Sequence, residues 1–326
     1  MKSFQYIHVT TPEKAVAEYR KHPKSKYIAG GTNLVDLMKR GVETPEMLID
    51  ISSLSNTAIK QSGNKIVVEA MALNSSMAEN DLIKNNFPLL AMAINAGASP
   101  QLRNMATAGG NLLQRTRCPY FYDIHLPCNK RQPGSGCSAK EGYNRMHAIL
   151  GASEECIAVH PSDMCVALAA LDATVNVQGS KGKRTIAFSA FHRLPGNEPQ
   201  KDNTLEPGEL ILSIDIPMNQ FAANSHYLKI RDRASYAFAL VSVAAAMNVS
   251  TDGIASARIA LGGVAHKPWR ATNAEEYLKG KRPSKEHFQS AAKIALQDAR
   301  GYGDNDFKIP LAVNAIEEAL SRAAGL

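Results

Sequence analysis

The chain has 326 residues, 44% hydrophobic and 21% charged, with a formal net charge of +7. This describes a globular protein with room for two or three domains and excludes a disordered or fibrous chain. Lys and Arg are scattered and not interleaved with aromatics, so the charge reads as a solvated surface or a face for an acidic protein partner, not as a nucleic-acid stripe.

No apolar run approaches the roughly 18 residues that span a bilayer. The opening Met1-Lys2-Ser3-Phe4-Gln5-Tyr6 has no apolar stretch or cleavage site, so the chain reads as made without its own export signal and cytoplasmic on that ground. Thr11-Pro12-Glu13 supplies an N-cap, a proline at the first helical position and an early acid, which predicts a helix to about Arg20. A short strand at 26–29 runs into Gly30-Gly31, and a helix follows over 33–40. Apolar strands are expected at 47–51 and 65–69, a helix from Ser75 or Ser76 to Lys84, and another over 89–96.

The tract 115–155 is dense in Pro, Gly, Asn, Cys and aromatic residues and has no sustained period. Loops of that length inside a compact domain usually carry function. A helical pattern returns at 164–172 and a strand at 174–177, and a domain boundary is expected between 196 and 205. Beyond it, strands at 210–216, 237–249 and 255–261 and helices at 274–279, 285–299 and 311–323 read as a separate α+β unit.

Two segments echo each other: Ala29-Gly30-Gly31-Thr32-Asn33-Leu34 and Ala108-Gly109-Gly110-Asn111-Leu112. Paired glycines let the backbone turn sharply and bring bare N–H groups against an anion such as a pyrophosphate. Either alone reads equally as a tight turn, and neither is the G-x-G-x-x-G fingerprint. Their duplication points to one extended dinucleotide held by two loops.

All five cysteines fall between Cys118 and Cys165. Disulfides are not expected in a long chain read as lacking a leader. The spacing Cys118-x9-Cys128-x8-Cys137-x18-Cys156 contains no zinc knuckle. Four thiolates on long loops suit a cubane iron–sulfur cluster. Structural zinc, using His125, His147 or His160, stays open as the alternative. Cys165 lies in an apolar helical run and reads as a small buried hydrophobe without a ligand role. His160-Pro161-Ser162-Asp163 offers polar groups at a helix start, either for a ligand or as a cap.

Five ordered segments together resemble the FAD subunits of the xanthine dehydrogenase (molybdenum hydroxylase) family. They are Lys26-Tyr27-Ile28-Ala29-Gly30-Gly31-Thr32-Asn33, Ala106-Thr107-Ala108-Gly109-Gly110-Asn111, His160-Pro161-Ser162-Asp163, Pro207-Gly208-Glu209-Leu210-Ile211-Leu212 and Tyr227-Leu228-Lys229-Ile230-Arg231. Most members pass directly from the second glycine loop to the Ser-Asp element, whereas here about fifty residues intervene and carry Cys118, Cys128, Cys137 and Cys156. Such an insertion is similar to that of 4-hydroxybenzoyl-CoA reductase. Through Gln114-Arg115-Thr116-Arg117-Cys118-Pro119-Tyr120-Phe121-Tyr122 and Arg231-Asp232-Arg233-Ala234-Ser235-Tyr236, it is closer to the FAD subunit of bacterial periplasmic aldehyde oxidoreductases.

The resemblance implies an α+β fold: an FAD-binding domain of the vanillyl-alcohol-oxidase or p-cresol-methylhydroxylase (PCMH) type in two subdomains over 1–200, with a cluster-binding insertion at about 115–157. A C-terminal α+β domain like that of the CO dehydrogenase flavoprotein would occupy 205–326. Residues 26–34, through Leu34, would wrap the pyrophosphate, with Thr107, Ala108, Gly109, Gly110 and Asn111 as the second wall. Ser162 and Asp163 would meet ribityl or ribose hydroxyls, Ile211 the adenine region and Lys229 the isoalloxazine, with Gly97 and Ala98 near the flavin ring. Cys118, Cys128, Cys137 and Cys156 would hold a 4Fe–4S cluster.

Two departures stand out. Members that reduce NAD commonly place acids just before the strand that here reads Tyr236-Ala237-Phe238-Ala239, so NAD is not the expected acceptor. The usual Gly-Ala pair after the third strand reads Glu69-Ala70-Met71. The implied function is electron exit: a molybdenum subunit oxidises an aldehyde to its acid, a small subunit with two 2Fe–2S clusters relays electrons, and this chain's FAD passes them to an external acceptor. No residue of this chain is expected to act on the substrate.

Arg103, Arg115, Arg117, Lys130 and Arg131 surround the second loop and the cysteine tract, where they would stabilise a reduced centre, meet an acidic partner or simply be solvated. The alternatives are a 4-hydroxybenzoyl-CoA-reductase-type subunit and, in another class, a zinc-stapled nucleic-acid-binding module. Export of a folded complex on a partner's signal keeps the periplasm open as the final compartment.

Overall fold

The computed structural model describes residues 1–326. The chain opens with β1 (Gln5–His8), α1 (Pro12–Lys21), β2 (Ser25–Ile28), α2 (Leu34–Lys39) and β3 (Met47–Asp50). The Thr11 hydroxyl accepts the Lys14 N–H and Pro12 opens α1, as the capping pattern requires. β3 runs between β1 and β2, parallel to both, and all four of its residues are buried. A central parallel strand is covered on both faces, hence the unbroken run Met47-Leu48-Ile49.

A second layer follows: β4 (Ile59–Ser62), β5 (Lys65–Glu69), α3 (Asn74–Glu79), α4 (Asp81–Asn86), α5 (Pro88–Ala96), α6 (Pro100–Arg103), α7 (Ala108–Leu112), α8 (Pro119–Tyr122), α9 (Asp163–Ala170), β6 (Thr174–Gly179), β7 (Gly182–Ala187), α10 (Phe188–Phe191) and β8 (Leu210–Pro217). The one helix expected to end at Lys84 is two. Asn80 sits extended at φ −69° and ψ 128°, and its side chain accepts the Leu82 N–H, ending α3 and capping α4. The strands form an antiparallel sheet in the order β4-β5-β8-β6-β7. The alternation at 210–216 is a strand as expected, but it pairs with β5 and β6 instead of opening the C-terminal unit. Every residue of α9 is buried, and Met164 to Ala170 belong to the core that this sheet shares with α5, β10 and β11.

The remainder comprises β9 (Ser225–Ile230), β10 (Val241–Ser250), β11 (Gly253–Gly262), β12 (Trp269–Arg270), α11 (Thr272–Leu278), α12 (Lys285–Ala295) and α13 (Lys308–Ala324). The sheet order is β12-β11-β10-β9, antiparallel throughout. Val241, Val243, Ala245 and Met247 of β10 face α11–α13, while Ala244 and Ala246 pack into the core that contains α9. Burial on both faces explains why the strand reads as a continuous apolar run. It starts at Val241 and not at 237, because Tyr236 has φ +52° and the segment up to Ser235 bends. No helix is long and apolar enough to cross a membrane.

Candidate functional site

The three sheets enclose a cleft of about 1510 Å³ lined by all but one of the expected cofactor residues. Its size exceeds the roughly 300–1,000 Å³ that a drug-sized ligand needs and suits an extended dinucleotide. The first glycine loop leaves β2 at the cleft edge. Gly31 has φ +69°, a left-handed turn that favours glycine. None of the N–H groups from Gly30 to Asn33 donates to a protein acceptor. Asn33 ties the loop to the cysteine tract, its Oδ1 accepting the Arg115 N–H at 2.9 Å, and its buried Nδ2 has no protein partner. Four consecutive unpaired donors in a turn form a nest for an anion.

The second loop is built differently. The N–H groups of Ala108, Gly109 and Gly110 donate to Ala72 O (2.8 Å), Ala70 O (2.8 Å) and Thr107 Oγ1 (3.1 Å). The expectation that both glycine loops offer free N–H groups is therefore corrected, because in the second they are consumed by the cap of α7 and by the Ala70–Ala72 segment. Ala108 is fully buried and does not line the cleft. Gly109 lies so close to Ala70 that a Cβ would stand 3.1 Å from the Ala70 Cβ. The unusual Glu69-Ala70-Met71 thus supplies the seat of the second loop. Ile211 of β8 borders the same contact.

At the cleft floor, Asp163 at the start of α9 accepts from Tyr227 Oη (2.7 Å) and Lys229 Nζ (2.8 Å). Asp163 and Lys229 form a buried ion pair. Burial, with Asp163 alongside, holds the Tyr227 phenol well above its usual pKa. Lys229 also donates to Ala96 O at 3.0 Å, and Arg231 to the same carbonyl at 3.1 Å. These fix the end of α5, where Ala98 has φ +52° and a Cβ on Gly97 would stand 3.2 Å from Asp163 Oδ2. In the sequence, Tyr227 stands only as part of a motif, without a role of its own, although Tyr227 and Lys229 sit two apart on a strand and so share a face. Ser162 caps α9, its Oγ accepting the Cys165 N–H, and the same hydroxyl donates to Asn111 Oδ1 at 2.5 Å, tying α9 to the second glycine loop.

The cysteine tract folds over α2 and α8. Cys118, Cys128, Cys137 and Cys156 line one small cavity, none is in a disulfide, and Cys128 and Cys137 face each other across a short antiparallel bridge. As thiols, burial pushes Cys118 up to about 12 and Cys156 up to about 11. The only His, Cys or carboxylate side chains with three ligand atoms within 4.8 Å of one another are His160, Cys165 and His192. The four cysteines are therefore spread more widely than the roughly 3.8 Å between sulfurs around a single zinc, and the wider set suits a cluster. Of the histidines weighed as zinc ligands, His125 is exposed, His160 lies against His192 with the rings tilted at 4.3 Å, and His147 reaches a cysteine of the tract, its Nε2 3.1 Å from Cys118 Sγ. Cys165 is buried with His160 and His192, away from that cavity.

Two of the basic residues around the tract, Arg115 and Lys130, are committed inside the protein, which corrects their reading as solvated or partner-facing; Arg103, Arg117 and Arg131 stay partly exposed. Arg115 pairs with Asp202 at 2.8 Å and Glu43 at 2.7 Å, and Lys130, 1% exposed at its side chain, pairs with Asp202. Against the burial that raises it, Lys130 and Arg115 hold the Asp202 carboxyl well below the usual range. Arg117 pairs with Asp36, Arg131 caps the Tyr120 and Phe121 carbonyls, and Arg103 donates to Gly97 O.

A cleft for a dinucleotide between two subdomains, followed by an antiparallel sheet backed by helices, defines a flavoprotein subunit. Residues 2–219 match the FAD binding domain in molybdopterin dehydrogenase and residues 226–323 the CO dehydrogenase flavoprotein C-terminal domain. The chain belongs to this family and is an FAD-binding medium subunit of the molybdenum hydroxylase type. It is 46% identical to the aldehyde oxidoreductase FAD-binding subunit PaoB of Escherichia coli (strain K12), over 99% of each chain. It is 26% identical to the carbon monoxide dehydrogenase medium chain of Hydrogenophaga pseudoflava, over 92% of this chain and 89% of that one. Among solved structures, carbon monoxide dehydrogenase from Hydrogenophaga pseudoflava aligns with a TM-score of 0.78 at 26% identity, over 99% of this chain and 98% of that one. The nucleic-acid-binding alternative gives way to this family.

Proposed function

We propose that the chain is the electron-transferring FAD and 4Fe–4S subunit of a heterotrimeric aldehyde oxidoreductase, working with a molybdenum-bearing large subunit and a 2Fe–2S small subunit. One observation carries it: beside a dinucleotide-sized cleft with unpaired N–H donors stands a cavity walled by four free cysteines. The aldehyde specificity rests on the 46% identity to the Escherichia coli subunit.

FAD, when bound, accepts single electrons and delivers one or two. The N–H groups of Gly30–Asn33 hold its pyrophosphate, and the second loop closes the cleft by packing and through the Asn111 side chain. Asp163 keeps lone pairs for ribityl hydroxyls while Tyr227 and Lys229 fix its rotamer. Of the residues that line the cleft, Lys229 would meet the isoalloxazine and Ile211 the adenine region, as the family resemblance implies. The cofactor unit runs through β8 and the C-terminal unit follows it. Cys118, Cys128, Cys137 and Cys156 hold the cluster, which supplies a one-electron site. The external acceptor is not NAD, since Tyr236 and Ala237 stand where an acidic pair would be expected.

Purification of the intact complex tests the reading. Flavin bands with a broad iron–sulfur shoulder, and four irons assigned to this subunit, are the expected result. A colourless subunit containing zinc overturns the cluster assignment, and one lacking flavin overturns the whole.

A further inference from the structure

A cavity of about 190 Å³ lies between the cysteine cavity and the cleft. It shares Cys118 with the first and Arg117, Ser162, Asp163 and Phe238 with the second. Cys118 is thus the one cysteine of the four that borders this space. On the same wall His147 places Nε2 3.1 Å from Cys118 Sγ. Among the four cysteines of the tract this is the one side-chain hydrogen bond to sulfur; the other donors are backbone N–H groups, of Ala158 to Cys156 at 3.4 Å and of Tyr120 and Phe121 toward Cys118.

The backbone of His147 is held from the C-terminal unit, while its buried Nδ1 has no protein partner. The His147 carbonyl accepts from Lys308 Nζ at 2.9 Å and Asn305 Nδ2 at 3.3 Å, at the entrance to α13. Lys308 also donates to Gly263 O at 2.5 Å, beside β11. His147 is 3% exposed, whereas Cys118 is half-buried at the edge of the cavity.

We propose that His147 donates its Nε2–H to the Cys118 sulfur and thereby raises the reduction potential of the cluster at the corner that faces the flavin cleft. The proposal rests on the 4Fe–4S reading above. A 4Fe–4S cluster held by these cysteines would supply a one-electron site, and its one-electron reduction, by dithionite in the test below, would add one negative charge without a proton. The added negative charge spreads over the sulfurs, ligand sulfurs included. A donor aimed at one of them stabilises the reduced state more than the oxidised one. Lys130, paired with Asp202, acts on the Cys156 sulfur through its charge alone, whereas His147 is the side chain within hydrogen-bond distance of a ligand sulfur. It is a positioning and tuning residue, not a ligand.

The experiment is a dithionite redox titration of the assembled complex, following the reduced cluster by EPR and the flavin by absorbance. Wild type is compared with His147→Leu, which removes the donor, and His147→Gln, whose amide N–H reaches a similar place. At the wild-type midpoint, His147→Leu should show about a tenfold lower ratio of reduced to oxidised cluster, which for one electron is about 59 mV, with the flavin unmoved. His147→Gln should stay near wild type. Full iron in His147→Leu at an unchanged potential overturns the proposal. If His147→Leu loses its iron, His147→Gln decides: iron retained at the wild-type potential supports the donor role. Iron lost, or retained at a lowered potential, overturns it. Wild type without iron removes the cluster reading itself, which separates that failure from one specific to His147.

Discussion

Gly30 and Met105 meet backbone to backbone: a Cβ on Gly30 would stand 1.8 Å from the Met105 carbonyl oxygen. The two glycine loops are thus joined through Gly30, and the first supplies the free donors. Gly30→Ala should push the loops apart and deplete FAD from the purified subunit. Gly31→Val should do the same, since a side chain at φ +69° adds roughly 1 kcal/mol or more of strain. Gly110→Ala should be milder, because the new Cβ meets the Thr107 hydroxyl at 2.9 Å and no backbone atom. The FAD-to-protein ratio checks this series; stoichiometric FAD in Gly30→Ala and Gly31→Val would leave the glycine pairs as mere turns.

Replacing Cys118, Cys128, Cys137 or Cys156 with Ala should lower the iron content. Cys165→Ala should leave it unchanged, because Cys165 packs with His160 and His192 and not in the four-cysteine cavity. Iron analysis of the five variants decides; iron loss confined to Cys165→Ala would refute the assignment.

The Asp163–Lys229 pair is buried on both sides, so truncating one partner strands a charge. Lys229→Met should destabilise the subunit by about 3–5 kcal/mol. Tyr227→Phe, which removes one hydrogen bond to the same carboxylate, should cost about 1–3 kcal/mol. Thermal unfolding of the variants gives the order; equal effects would mean that the carboxylate is satisfied by other groups.

Burial lowers the His192 and His266 imidazoles to about 4. An unfolded chain binds their protons near 6.5, so between those values the unfolded state takes up more protons. Stability is full above about pH 6.5 and falls as the pH drops through 4, by roughly 3 kcal/mol for each imidazole. His192→Gln keeps an amide donor for the Leu112 carbonyl, which His192 Nε2 meets at 2.8 Å. The unfolding midpoint measured from pH 7 to pH 4.5 should decline less in that variant. Parallel profiles would show that His192 does not contribute.

Tyr236 and Phe238 stand exposed at the cleft mouth, and neither carries a charge. Aldehyde turnover by the assembled complex should run with artificial or protein acceptors and not with NAD. Steady NADH production at a comparable rate would contradict this.

The sequence by itself determined what depends on neighbours along the chain. Thr11-Pro12 dictated the start of α1, the two glycine pairs marked their turns, and the order of five motifs identified the family. Clustering of four cysteines in one aperiodic tract marked their shared cavity, and the apolar setting of Cys165 set it apart. What the tertiary structure decided involves partners far apart in the chain. β8 reads as a strand, but its pairing with β5 and β6 comes from residues about forty and one hundred and fifty positions away. Gly30 and Gly110 look alike in sequence, yet one leaves its N–H bare while the other donates to Thr107. Arg115 and Lys130 look like surface charge until Asp202 folds beneath them, and His147 reaches Cys118 across 29 positions. A capping or turn preference is stored in adjacent residues, whereas a hydrogen-bond partner is chosen only when packing brings distant segments together and burial leaves no water to take its place.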